Sequence, residues 1–200
     1  MSTLSNAAAA PRVPVLADAF ASSRVRTAVL ILGGALFMAL CAQISFAVPP
    51  YTVPFTAQTL GVMLIGASLG FKRGTAAMVL YVIMGLFLPV FSDGHNGLHY
   101  LLHGGTGGYI LGFVVATAAV GWLAERGVDR KFLTGFVAFV AAQVIIFTLG
   151  VIGLKLTFAD TWGATIHNGF TIFIIWGLVK AAVGAVLMPA AWKFQNSHRG

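Results

Sequence analysis

The chain has 200 residues, 58% of them hydrophobic and only 8% charged, with a mean hydropathy of +0.92. Soluble domains carry about 25% charged residues, so this composition describes an integral membrane protein rather than a soluble enzyme or carrier. The net charge of +7 is spread over short segments between apolar runs, which is the pattern of cytoplasmic membrane loops; it argues for the lipid bilayer as a partner and against nucleic acid.

In chain order, residues 1–24 form an Ala-rich tail with Pro11 and Pro14, expected to be frayed or to lie on the membrane surface. Residues 25–194 form the membrane domain and 195–200 a C-terminal tail. Six apolar segments, at 27–47, 57–71, 74–90, 106–124, 132–154 and 167–192, predict an all-α integral membrane protein with six transmembrane helices. The first is read as a retained helix and not a cleaved signal peptide. Arg24 and Arg26 come late, the apolar run is long, and Met38-Ala39-Leu40-Cys41 lacks the small residue expected before a lipidated cysteine. Cys41 is the only cysteine, so no disulfide framework exists. The second and third segments are short for a bilayer of about 30 Å and are separated by the tight basic turn Phe71-Lys72-Arg73-Gly74. Pro49, Pro50, Pro54 and Pro89 place irregular backbone at one membrane face, where it is tolerated if it lines protein or a cavity.

Orientation follows from the basic residues. With the N-terminus cytoplasmic, Arg12, Arg24, Arg26, Lys72, Arg73, Arg126, Arg130, Lys131, Lys193 and Arg199 lie inside, and only Lys155 lies in an outer loop. That asymmetry predicts both termini cytoplasmic. Small-residue pairs, Ala35-x-x-x-Ala39, Gly66-x-x-x-Gly70, Gly108-x-x-x-Gly112 and Ala181-x-x-x-Ala185, predict close helix packing.

Lys180 is the only ionisable group in the run Asn168–Trp192. An intramembrane cation is costly and by default marks a substrate or ion pathway. All five carboxylates (Asp18, Asp93, Glu125, Asp129, Asp160) lie in a tail or a connecting segment, so an anionic ligand is a candidate counter-ion. The run 167–192 places Lys180 near mid-depth. No nucleophile set and no phosphate-binding Gly-rich loop with a following Lys-Ser/Thr is present; the chain is not an ATPase, and active transport needs a separate motor or an ion gradient.

Two stretches carry a more specific signal: Val53-Pro54-Phe55-Thr56-Ala57-Gln58-Thr59-Leu60-Gly61 through to Lys72-Arg73-Gly74, and Leu88-Pro89-Val90-Phe91 followed by Gly104-Gly105-Thr106-Gly107-Gly108-Tyr109-Ile110-Leu111-Gly112-Phe113. Together they resemble the signature of the BioY family, the biotin-binding S components of energy-coupling-factor (ECF) vitamin transporters. The resemblance covers roughly residues 27–190. It implies a six-helix fold with cytoplasmic termini, biotin as substrate, and partners comprising one ECF transmembrane coupling protein and two ATPase subunits in a bacterial inner membrane. It implies no cofactor, no metal and no catalysis by this chain.

A site for biotin needs apolar walls, groups matching the ureido ring and one positive charge. Phe55, Val90, Phe91 and Leu98 are candidate walls; Gln58, Asn96, Thr106, Tyr109 and Asn168 are candidate hydrogen-bonding groups; Lys180 is the candidate for the carboxylate. The chain departs from the family pattern at Gly177, three residues before the lysine, where members commonly carry an Asp. Asp93 or Asn96 is then the candidate replacement. Ala35 and Ala39 resemble the small-residue pattern by which S components dock on their transmembrane partner. An alternative reading keeps the fold with another small anionic vitamin. A further alternative makes His95, His99 and His103, spaced every four residues, the ligands of a metal-ion permease.

Overall fold

A computed structural model describes residues 13–20, 23–46, 53–158 and 160–197; most of the predicted N-terminal tail and the last three residues lie outside these. The described chain is almost wholly helical: α1 (Arg24–Gln43), α2 (Gln58–Phe87), α3 (Gly97–His103), α4 (Gly107–Ala124), α5 (Phe132–Thr157), α6 (Trp162–Gly169) and α7 (Ile174–Ser197). One two-residue strand pair interrupts them, β1 (Ser45–Phe46) antiparallel to β2 (Phe55–Thr56), with Ser45 opposite Thr56 and Phe46 opposite Phe55. Among the described residues, five helical spans are long and apolar enough to cross a membrane.

α2 is in fact a hairpin. Gly70 sits at φ 77°, ψ −175°, a conformation open mainly to glycine. The Gln58 Nε2 donates to Tyr81 Oη at 2.9 Å, although 23 residues of straight helix would separate them by about 35 Å. The two arms therefore fold back on each other, and the second and third predicted segments become one antiparallel pair. The predicted turn at 71–74 pivots one residue earlier, at Gly70.

The last predicted segment, 167–192, divides. Thr161 caps α6 through its Oγ1, which accepts from Ala164 N at 3.3 Å; α6 then ends at Gly169, a 3-10 turn covers Thr171–Phe173, and α7 starts at Ile174. Lys180 is consequently six residues past the start of α7, about 9 Å along its axis, and not at the middle of a long helix. Hydropathy could not show the break, because Phe170-Thr171-Ile172-Phe173 is as apolar as the helices beside it.

Helices pack through small residues, replacing a hydrophobic drive that lipid does not supply. A Cβ on Gly108 would lie 2.3 Å from Leu149 O and 2.9 Å from Gly153 Cα, so α4 and α5 touch backbone to backbone. Large apolar side chains such as Val29, Leu32, Leu36 and Leu40 stay exposed on the outer flank of α1, while Ala35, Met38 and Ala42 are buried.

Connecting segments gather at two ends of the bundle. At one end β1, β2, the 88–106 segment and the α5–α7 connection meet: Ala57 N donates to Ile44 O at 3.0 Å and Gln43 Nε2 to Phe91 O at 3.1 Å. At the other end residues 13–20 form a docked strap with Val15 buried, where the sequence predicts a tail that is frayed or lies on the membrane surface. Its apolar Val15 and its paired Asp18 are the reason: Val13 N donates to Glu125 O at 2.8 Å, Arg130 Nη2 to Pro14 O at 3.0 Å, and Arg73 pairs with Asp18.

Candidate functional site

The first of these ends holds a narrow cleft of about 40 Å³. β2 and the start of α2 supply Thr56, Gln58 and Thr59; the start of α4 supplies Thr106 and Tyr109; α7 supplies Trp176, Gly177 and Lys180. Ile110, Phe113, Phe147 and Phe173 make the walls apolar. Beside it opens a recess lined by Ile44, Phe46, Phe55 and Ala57, sharing Thr56, Trp176 and Lys180 with the cleft.

Lys180 is placed at that junction by the helix period: Trp176, Gly177 and Lys180 are spaced to share one face of α7. Its Nζ donates to Thr56 O at 2.5 Å and to Thr59 Oγ1 at 3.3 Å. Both partners are neutral oxygens, and among the described residues no carboxylate pairs with it. Thr56 is available because the β1–β2 pairing holds its carbonyl over the start of α7. Tyr109 is buried and donates its hydroxyl to Gly169 O at 2.7 Å, tying the end of α6 to the cleft wall. Thr106 Oγ1 is buried without a partner.

Gln58, Thr106, Tyr109 and Lys180 are thus brought together in one cleft. Phe55 lies in the recess alongside, its ring 4.4 Å from that of the cleft residue Phe173. Phe91 is held inside the bundle, 1% exposed, with its ring where a Cβ on Gly85 would be, 2.1 Å away; it positions Ser92, its neighbour, at the cleft. Asn168 lies in a smaller side cleft with Val53, Asp160 and Thr165.

Asp93 and Asn96 are exposed on the loop before α3 and outside the cleft. Asp93 adopts φ 57° in a 3-10 turn, which keeps its side chain in a tight bend, and Leu98 is 58% exposed. The polar group beside Gly177 comes instead from α5: Gln143 Nε2 donates to Gly177 O at 3.2 Å. Gln143, Thr59, Ser92 and Trp176 were not singled out from sequence. A lone amide inside the apolar run of α5 was the available signal for Gln143, since a buried polar side chain in a membrane helix is rare.

Ala35 has no exposed surface, and Ala39 is half-buried. A Cβ on the adjacent Gly34 would lie 2.9 Å from both Ala77 Cβ and Leu69 Cδ1. Gly34 therefore packs against the α2 hairpin and Ala35 is buried beside it, while Gly33 faces open space and Ala39 keeps some exposed surface. The three histidines do not converge either. His95 stacks on Tyr100 and contacts Ser92 O through Nδ1 at 2.8 Å, while His99 and His103 stack on each other. Among the described residues no group of three His, Cys, Asp or Glu side chains could hold a metal ion.

A family model described as the BioY family matches residues 12–197. A protein named biotin transporter BioY from Thermotoga maritima is 38% identical over 141 residues, covering 70% of this chain and 81% of that one. Another of that name from Rhizobium etli is 34% identical over 169 residues, covering 76% and 87%. Among solved structures, one described as the S-component for biotin from an ECF-type ABC transporter superposes with a TM-score of 0.77 at 21% identity, covering 85% of this chain and 92% of that one; this likeness shows the fold. Five membrane-length spans and relatives named as transporters make this a multi-pass membrane protein, and the chain belongs to the BioY family.

Proposed function

We propose that this chain captures biotin and passes it inward as the S component of an ECF transporter in a bacterial inner membrane. The observation that carries this reading is the Lys180 ammonium at the meeting of cleft and recess, held by Thr56 O and Thr59 Oγ1. Neutral oxygens orient a cation without neutralising it, so the cleft favours a ligand that brings its own carboxylate. Biotin supplies one on a flexible chain, and its bicyclic body suits walls built from Ile110, Phe113, Phe147 and Phe173. Thr106, with its unpartnered hydroxyl, and Gln58 face the same space as hydrogen-bonding groups for the ureido ring.

Six crossing rods follow when the α2 hairpin counts as two. With ten of the basic residues assigned to one side, both termini are then cytoplasmic and the cleft opens outward. The chain performs no chemistry on its substrate; ATP hydrolysis resides in two partner ATPases, coupled through one transmembrane partner. Calorimetry on the purified chain tests the ligand. Biotin binds, and its methyl ester binds about 10- to 100-fold more weakly, as expected when a charge-assisted hydrogen bond is lost. Equal binding of acid and ester removes the role given to Lys180; absence of biotin binding overturns the reading.

A further inference from the structure

Gly177 leaves bare backbone in the cleft wall, and one amide stands behind it. A Cβ on Gly177 would lie 3.6 Å from both Cδ and Nε2 of Gln143, and 3.5 Å from the Phe147 ring. Gln143 is 5% exposed. Its Nε2 donates to Gly177 O at 3.2 Å, while its Oε1 is buried with no hydrogen-bond partner. If Gln143 served only to stitch α5 to α7, the Nε2 bond would be explained and the Oε1 would not. A buried acceptor without a donor is destabilising, and native interiors keep few of them.

We infer that Gln143 is a specificity-determining residue of the cleft, whose Oε1 accepts an N–H from the cyclic urea of the ligand. The inference rests on the biotin reading above and deepens it. Lys180 answers the charge at one end of the ligand, and Gln143 answers a neutral N–H donor at the other. Phe147, one turn along α5 from Gln143, lines the cleft together with Gly177, and Gln143 stands directly behind Gly177, so a ring packed on Phe147 presents its edge near Gly177. The absence of a side chain at Gly177 is what leaves that edge within reach of α5.

The test compares biotin with 2-iminobiotin, whose ring is a cyclic guanidine and is cationic when protonated, by calorimetry on the full chain and on Gln143→Met and Gln143→Glu. Gln143→Met, similar in volume but without the acceptor, loses about tenfold in biotin affinity. Gln143→Glu shifts the preference between the two ligands about tenfold or more toward 2-iminobiotin, because a carboxylate pairs with a guanidinium through charge-assisted hydrogen bonds. That ratio is measured within one variant and is independent of the fraction of protein that is folded. An unchanged ratio in Gln143→Glu overturns the inference alone. Failure of the unaltered chain to bind biotin overturns the transport reading and this inference with it.

Discussion

At the strap end of the bundle Asp18, Glu125 and Asp129 each join separate chain segments, whereas at the cleft end the cation Lys180 meets only neutral oxygens. Asp18 pairs with Arg73. Glu125 accepts from Phe71 N at 3.0 Å, and Asp129 accepts from Trp192 Nε1 at 2.7 Å while Arg130 lies 4.4 Å above the same indole. Charge there is consumed in holding helices together. In the cleft it is left over, and the contrast separates groups that stabilise the fold from a group kept for a ligand.

Three measurements sharpen or break that division. The largest effect belongs to Lys180→Gln, which lowers biotin affinity about 10- to 100-fold and erases the preference for acid over ester, with little change in thermal stability. A variant that binds biotin unchanged would show that the cation is structural after all. Next is Asp129→Ala, which strands the Trp192 indole N–H and lowers stability by about 1–3 kcal/mol, read from the melting temperature, while biotin affinity stays within twofold. Burial raises the Asp129 carboxyl above its ordinary value of 3.8, opposed by the bonds from Trp192 and the backbone and by the Arg130 charge. A raised carboxyl contributes stability that is fully present below 3.8 and is lost as pH rises through the elevated value. Asp129→Asn accordingly flattens the pH dependence of the melting temperature in that window. Smallest is Asp18→Asn, which removes a partly exposed ion pair and costs at most about 1 kcal/mol, again without a change in ligand affinity.

The apolar runs were legible because membrane depth leaves a plain hydropathy record, and even the hairpin turn was located within a residue or two. The break before α7 leaves no such record, since an apolar 3-10 turn and an apolar helix have the same composition, so the place of Lys180 six residues into α7 is not legible in the sequence. Gln58, Thr106 and Tyr109 are legible from their motifs and Lys180 from its isolation in an apolar run, but the sequence does not show that Asp93 and Asn96 sit on an exposed bend. Nor could it show that the neighbour of Gly177 comes from α5, more than thirty residues away in the chain. Ala35 illustrates the remaining gap: small-residue spacing marks a close contact without saying with which helix.

The strap also sets an order of assembly. Residues 13–20 are the earliest described segment to leave the ribosome, yet Arg73 is 55 residues further on and Arg130 lies 116 residues beyond Pro14. Contacts of such long sequence separation close only after the intervening chain is in place. The strap therefore finds its seat only once α2 has folded back and α4 has ended, so a docked Val15 reports that most of the bundle has already been inserted.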